Sequence, residues 1–175
     1  MLRGSILGYD LNEKSCQISY YDETKEEPET METAVDNYQI PVVLGFYKEH
    51  WVYGREAKRL QTINEGITIT ELFQKATRRE KVKVGDKIHD GVWLLAKFIE
   101  LTLREFRDIS YITFAIPHTN IDMSDMLKGI GQRLGVTKGC VCVQDYKESF
   151  CQYMFYQPKE LWQYESAMFY CDAQE

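Results

Sequence analysis

Asp10 closes a strand-patterned run, Ile6-Leu7-Gly8-Tyr9-Asp10-Leu11, and is the residue of this chain best placed to do chemistry. A strand sends its side chains to alternate faces, so a carboxylate where the strand runs out into a turn can project into a cleft. There it suits Mg²⁺ held through water, because Mg²⁺ takes oxygen ligands and keeps several of its waters. Aspartate is also an ordinary turn residue that bonds its own backbone, and Asp10 taken alone fits that plainer role better.

Other reactive side chains give weaker patterns. Cys16, Cys140, Cys142, Cys151 and Cys171 make an odd count. Cys140-Val141-Cys142 places two thiols on one face of a strand, but the paired Cys spacing of a zinc site has no second half here, so free buried cysteines are expected. His50, His89 and His118 lack any H-x-x-x-H or H-E-x-x-H spacing. Ser149, in Lys147-Glu148-Ser149-Phe150-Cys151, lacks the G-x-S-x-G elbow of serine hydrolases. Tyr153, Tyr156, Trp162 and Tyr164 read as core and its rim, with an interaction surface as the alternative.

The elements that must position Asp10 follow from a chain of 175 residues with 44% hydrophobic and 27% charged residues, the profile of one globular domain. A net charge of −6 disfavours nucleic acid as a partner, since phosphate neutralisation by Lys and Arg dominates that affinity. No apolar stretch approaches the roughly 20 residues that span a bilayer, and no signal peptide is evident. With the odd cysteine count, these features predict a cytoplasmic protein without membrane contact.

Strands are expected at about 5–10, 15–21 and 40–46, with residues 22–32 as a solvated hairpin connection. A short strand at Trp51-Val52-Tyr53 leads into a helical turn around residues 56–60. Lys75, Arg78, Arg79, Lys81, Lys83 and Lys87 make residues 72–87 read as a basic solvated linker, with a partner site as the alternative. The longest helix is predicted over about 86–106, from Ile88, Val92, Leu95, Ile99 and Phe106 at helical steps. The remainder alternates: strand 111–116, helix 121–134, strand 139–143, helix 145–155 and strand 166–172. Strands separated by helices imply parallel crossovers. The fold class is therefore α/β: a mixed five-stranded sheet, an antiparallel meander followed by βαβαβ, with helices packed on it.

This order, with the residues at its joints, resembles the N-terminal lobe of the actin and heat-shock-chaperone ATPase superfamily, in an uncharacterised bacterial branch. Gly8-Tyr9-Asp10-Leu11-Asn12-Glu13-Lys14-Ser15-Cys16 is similar to the chaperones' first phosphate loop, G-I-D-L-G-T-T-N-S. Ile40-Pro41-Val42-Val43 and Val52-Tyr53-Gly54-Arg55-Glu56-Ala57-Lys58 resemble the segments around T-P-S-V-V and G-x-x-A-K. Ile112 to Pro117 resembles the strand ending in V-P, and Met123 to Val136 the helix closing in A-G-L. Val143-Gln144-Asp145 falls at the family's I-N-E, and Phe169-Tyr170-Cys171-Asp172 where its second phosphate loop begins.

The resemblance implies a ribonuclease H-like, actin-like sheet in a single lobe over 1–175, with a basic linker and long helix inserted at about 64–106. It implies ATP and Mg²⁺ as ligands, with Asp10 and Asp172 near the metal, Asn12 and Lys14 near the phosphates, and Asp145 near the attacking water. The departures are informative. Asn12 replaces a glycine and Glu13-Lys14 replace two threonines, where small residues would let backbone N–H groups approach phosphate. Asp172-Ala173-Gln174-Glu175 also lacks glycines. The expectation is a degenerate nucleotide-binding lobe, not an ATPase on its own, from a longer protein whose second lobe and unknown protein partners it contacts. The alternatives are an interaction lobe without nucleotide, or a ribonuclease H-like metal-dependent nuclease drawing on Asp10, Asp145, Asp172 and Glu71 or Glu100.

Overall fold

The structure, a computed structural model, describes residues 6–157. The chain forms β1 (Ile6–Leu11), β2 (Ser15–Asp22), β3 (Glu27–Thr30), β4 (Ile40–Pro41), β5 (Leu44–Tyr47) and β6 (His50–Tyr53). Then come α1 (Gly54–Ile63), β7 (Ile67–Ile69), α2 (Leu72–Thr77), β8 (Lys81–Val84), β9 (Lys87–Asp90) and α3 (Gly91–Thr102). The described part finishes with β10 (Tyr111–Ile116), α4 (Ile121–Arg133), β11 (Val141–Asp145) and α5 (Tyr146–Phe155).

Alternation in β1 organises this mixed α/β architecture. Leu7, Tyr9 and Leu11 are buried, while Gly8 and Asp10 face the other side of the sheet. β1 pairs antiparallel with β2 and parallel with β10, which pairs parallel with β11; β3 closes the far edge against β2. The resulting order is β11-β10-β1-β2-β3, with β4 also on β2. The buried face meets α3, whose Leu94, Leu95, Phe98 and Ile99 are wholly enclosed. Burying each of these side chains contributes about 1.5–3 kcal/mol before entropy is counted. One polar contact crosses that core: the Tyr9 hydroxyl lies 2.8 Å from Thr102 Oγ1, which also donates to the Ile99 carbonyl at 2.8 Å.

Several elements depart from the sequence expectation. The third strand of the main sheet is Glu27–Thr30, inside the segment expected to be a solvated connection, and residues 40–46 divide between β4 and β5. β5 belongs to a separate antiparallel sheet of order β6-β5-β7. Residues 72–87 are no linker: Leu72, Phe73 and Ala76 of α2 and Val84 of β8 are buried in the common core. The predicted helix over 86–106 is a hairpin strand followed by α3, because Asp90 accepts from the Val92 N–H at 2.8 Å and caps the helix there. Ile88, counted on the helix's apolar face, is 68% exposed on β9. Tyr153 and Tyr156 are not core: they stand 63% and 89% exposed on and beside α5. Among the described residues no helix is long and apolar enough to cross a membrane.

Two glycines report how tightly α3 and α4 are held. A Cβ on Gly91 would fall 2.2 Å from the Lys75 carbonyl oxygen, backbone that cannot swing away, whereas one on Gly129 in mid-α4 meets nothing within 4 Å. Gly91→Ala is therefore expected to destabilise by about 1–3 kcal/mol through overpacking. Gly129→Ala is expected to stabilise by about 0.5–1 kcal/mol through helix propensity. Urea denaturation of the two variants checks both signs.

Candidate functional site

At the carboxyl ends of the parallel strands, Asp10 of β1 stands in register with Ala115 of β10, and Ala115 with Gln144 of β11. The chain leaves β11 at Asp145 and turns at once into α5. Asp145 is the N-cap: its carboxylate accepts from the Glu148 N–H at 2.8 Å, and the Glu148 carboxylate accepts from the Asp145 N–H at 2.9 Å. Asp145 pairs with Ile116, one position past the Asp10 row and so on the opposite face by strand alternation. Its carboxylate is engaged in the helix cap, and the structure does not bring it together with Asp10.

Tyr146, the first residue of α5, occupies that place. Its hydroxyl donates to Asp10 Oδ1 at 2.5 Å, and Asn12 Nδ2 approaches the same hydroxyl at 3.5 Å. A second contact fixes the helix across the strand ends, where Gln144 Nε2 donates to Ser149 Oγ at 2.7 Å. Burial pushes the Asp10 carboxyl above its ordinary value, and the Tyr146 hydrogen bond opposes that rise.

The β1–β2 turn consumes its own donors. The Asn12 N–H donates to the Ser15 carbonyl at 3.0 Å, while Asn12 Oδ1 accepts from the N–H groups of Lys14 and Ser15, each at 2.9 Å. The Asn12 side chain thus serves as an Asx-type turn. Lys14 is exposed, and its carbonyl accepts from the Val42 N–H at 3.0 Å. Glu13 turns toward α2, whose N-cap residue Glu71 sits at φ +56 and makes no side-chain cap. The Glu13 carboxylate accepts from the Gln74 N–H instead, supplying one of the partners a helix start lacks. Burial raises the Glu13 carboxyl, the Gln74 hydrogen bond opposes the rise, nearby Glu71 adds to it, and Lys75 and Arg78 oppose it. Its Oε1 is enclosed with no hydrogen-bond partner.

The remaining expected residues lie apart. Asp172 and Cys171 are outside the described residues. Glu71 pairs with Lys75 at 3.4 Å and Glu100 with Lys97 at 3.1 Å, on α2 and α3. No group of three His, Cys, Asp or Glu suited to a metal ion occurs among the described residues. Cys16 is buried and its thiol is pushed up to about 12 by that burial, so it stays protonated and unreactive in the core. Cys140 and Cys142 are only half-buried and Cys151 is exposed, unlike the buried cysteines expected.

Sequence reasoning missed Tyr146 and the clasp made by Glu13. A signal for Tyr146 was present: Asp145-Tyr146-Lys147-Glu148 has capping-box spacing, which makes Asp145 the cap and Tyr146 the first helical residue. These elements define a mixed α/β domain with one half-buried carboxylate closed over by a tyrosine at the end of its central strand. Residues 27–175 match a family described as "Family of unknown function (DUF5716) C-terminal", and the chain belongs to it. The matched region starts after Asp10, Asn12 and Lys14. No curated protein matches the chain.

Because the folded state holds the Asp10 proton more tightly than the unfolded chain, Asp10 stabilises fully in acid and loses that contribution as pH rises through its raised folded value. Asp10→Asn removes this loss and keeps an acceptor for Tyr146. Its urea midpoint relative to the parent protein is expected to rise between pH 3 and pH 7. A falling difference would mean that unrecognised positive charge supports the carboxylate.

Proposed function

We propose that this chain is a lobe of the actin-like and heat-shock-chaperone-like class in which the phosphate site has degenerated, and that it works by contacting other polypeptides, a second lobe of the same protein among them. The strand order supports the class: a three-strand antiparallel meander followed by two parallel strands, with a carboxylate where the central strand ends. We read this order as the ribonuclease H-like, actin-like arrangement that the sequence resemblance implies.

The observation that carries the degenerate reading is the closure of the site. A phosphate-binding turn needs backbone N–H groups aimed outward at the ligand. Here the N–H groups of Asn12, Lys14 and Ser15 bond within the turn, and Tyr146 is seated on Asp10. Mg²⁺ and ATP would have to displace that tyrosine and meet the Glu13 charge as well. The metal-dependent nuclease is disfavoured by the engagement of Glu71, Glu100 and Asp145 elsewhere.

Isothermal titration of ATP with Mg²⁺ into the chain tests this. No saturable heat is expected up to millimolar nucleotide. Micromolar binding that Asp10→Ala abolishes would overturn the proposal and assign Asp10 to a working metal site.

A further inference from the structure

Away from the strand ends, two hairpin tips converge on a wall of aromatic rings. Phe46 of β5 and Trp51 of β6 lie with centroids 5.0 Å apart; Trp51 is 5.5 Å from Trp93 of α3 and 5.6 Å from His89 of β9; His89 stacks on Trp93 at 4.1 Å. Trp93 remains 37% exposed in spite of this packing. The rings line a cleft of about 520 Å³. Its rim carries Glu49, from the two-residue β5–β6 turn, and Asp86, from the two-residue β8–β9 turn.

Neither rim carboxylate enters a salt bridge among the described residues. Lys87 also lines the cleft, while the Lys48 ammonium beside Glu49 is drawn away over the Tyr47 ring at 4.9 Å. Exposed tryptophan beside unpaired carboxylate favours a cation, since an aromatic face attracts positive charge and a carboxylate completes the pairing. Ring orientation narrows the choice. Trp51 stands inclined to its neighbours, at 54° to Phe46, 60° to Trp93 and 87° to His89, whereas His89 and Trp93 stack within 27° of parallel. A part-exposed stack of two rings with carboxylates in the same cleft suits a planar guanidinium, which extends the stack by its face and donates from its fork. Trp and Arg are also the residues that most often carry the energy of protein contacts.

We propose that the Phe46–Trp51–His89–Trp93 cleft is a docking site for an arginine side chain of a partner polypeptide, with the guanidinium stacked on the part-exposed Trp93 and paired to Glu49 and Asp86. The site uses none of the residues at the strand ends, so it stands or falls independently of the nucleotide question.

The test follows the tryptophan indole N–H signals by NMR while the capped peptide Gly-Gly-Arg-Gly-Gly is added, with citrulline and trimethyllysine versions as controls. The expected result is saturable shifts of the Trp51 and Trp93 indoles, with the citrulline peptide at least tenfold weaker. Glu49→Gln with Asp86→Asn, both exposed hairpin-tip changes that leave the core untouched, is expected to weaken the arginine peptide at least fivefold; Trp93→Ala is expected to abolish the shifts. Equal binding of citrulline overturns the proposal, as does tighter binding of trimethyllysine. So do Trp51 and Trp93 indole signals that stay unmoved throughout the titration.

Discussion

The fold depends on one buried hydrogen bond between the central strand and the central helix. Tyr9 places a ring against Phe114 at 5.5 Å and a hydroxyl deep in the core, where an unpaired hydroxyl would cost about 1–3 kcal/mol. Thr102, the last residue of α3, meets it. That pairing fixes how far α3 slides along the sheet, and the position of α3 fixes α2 through the close approach at Gly91. Burial raises the Tyr9 hydroxyl well above its ordinary value, so it remains a neutral donor across the working pH range. Because Tyr9 faces inward, strand alternation sends its neighbour Asp10 to the opposite face, under α5.

At that opposite face the residues do structural work with groups that resemble a ligand site. Asn12 folds its own turn, Glu13 completes the start of α2, and Tyr146 covers Asp10. Each of these polar side chains has its partner inside the protein. The hairpin thereby joins β1, β2, α2 and α5 in a single junction, where a phosphate loop would have left its donors open to solvent.

Much of this was legible in the sequence wherever burial imposed a period. Leu7-Tyr9-Leu11 and Ile112-Phe114-Ile116 alternate because one face of each strand is sealed, and both strands stand where the pattern places them. β3 left no such trace. Glu27-Pro28-Glu29-Thr30 is a charged edge strand that pairs through its backbone, and neither its charge nor its proline conflicts with an edge position. Ile88 fell at a helical step from Val92 by coincidence, although Asp90-Gly91 ahead of an apolar run is a helix start and Val84-Gly85-Asp86-Lys87 a hairpin turn. The site was half legible. Asp10 could be picked from its strand, but Tyr146 reaches it across 136 positions of chain, a proximity that only the assembled β11–α5 joint creates.

The parallel pairing of β1 with β10 has a consequence for how the molecule is made. Ile6 must find Tyr111, so one whole edge of the central strand waits while the intervening chain is synthesised. At ~5–20 residues per second the ribosome needs several seconds or more to deliver the partner. Until α3 has been made, β1 and β2 can pair only with each other and with β3 and β4, leaving Leu7, Tyr9 and Leu11 uncovered. The nascent chain is then an adhesive ribbon, sheltered on its face only when α3 emerges and on its edge only when β10 follows.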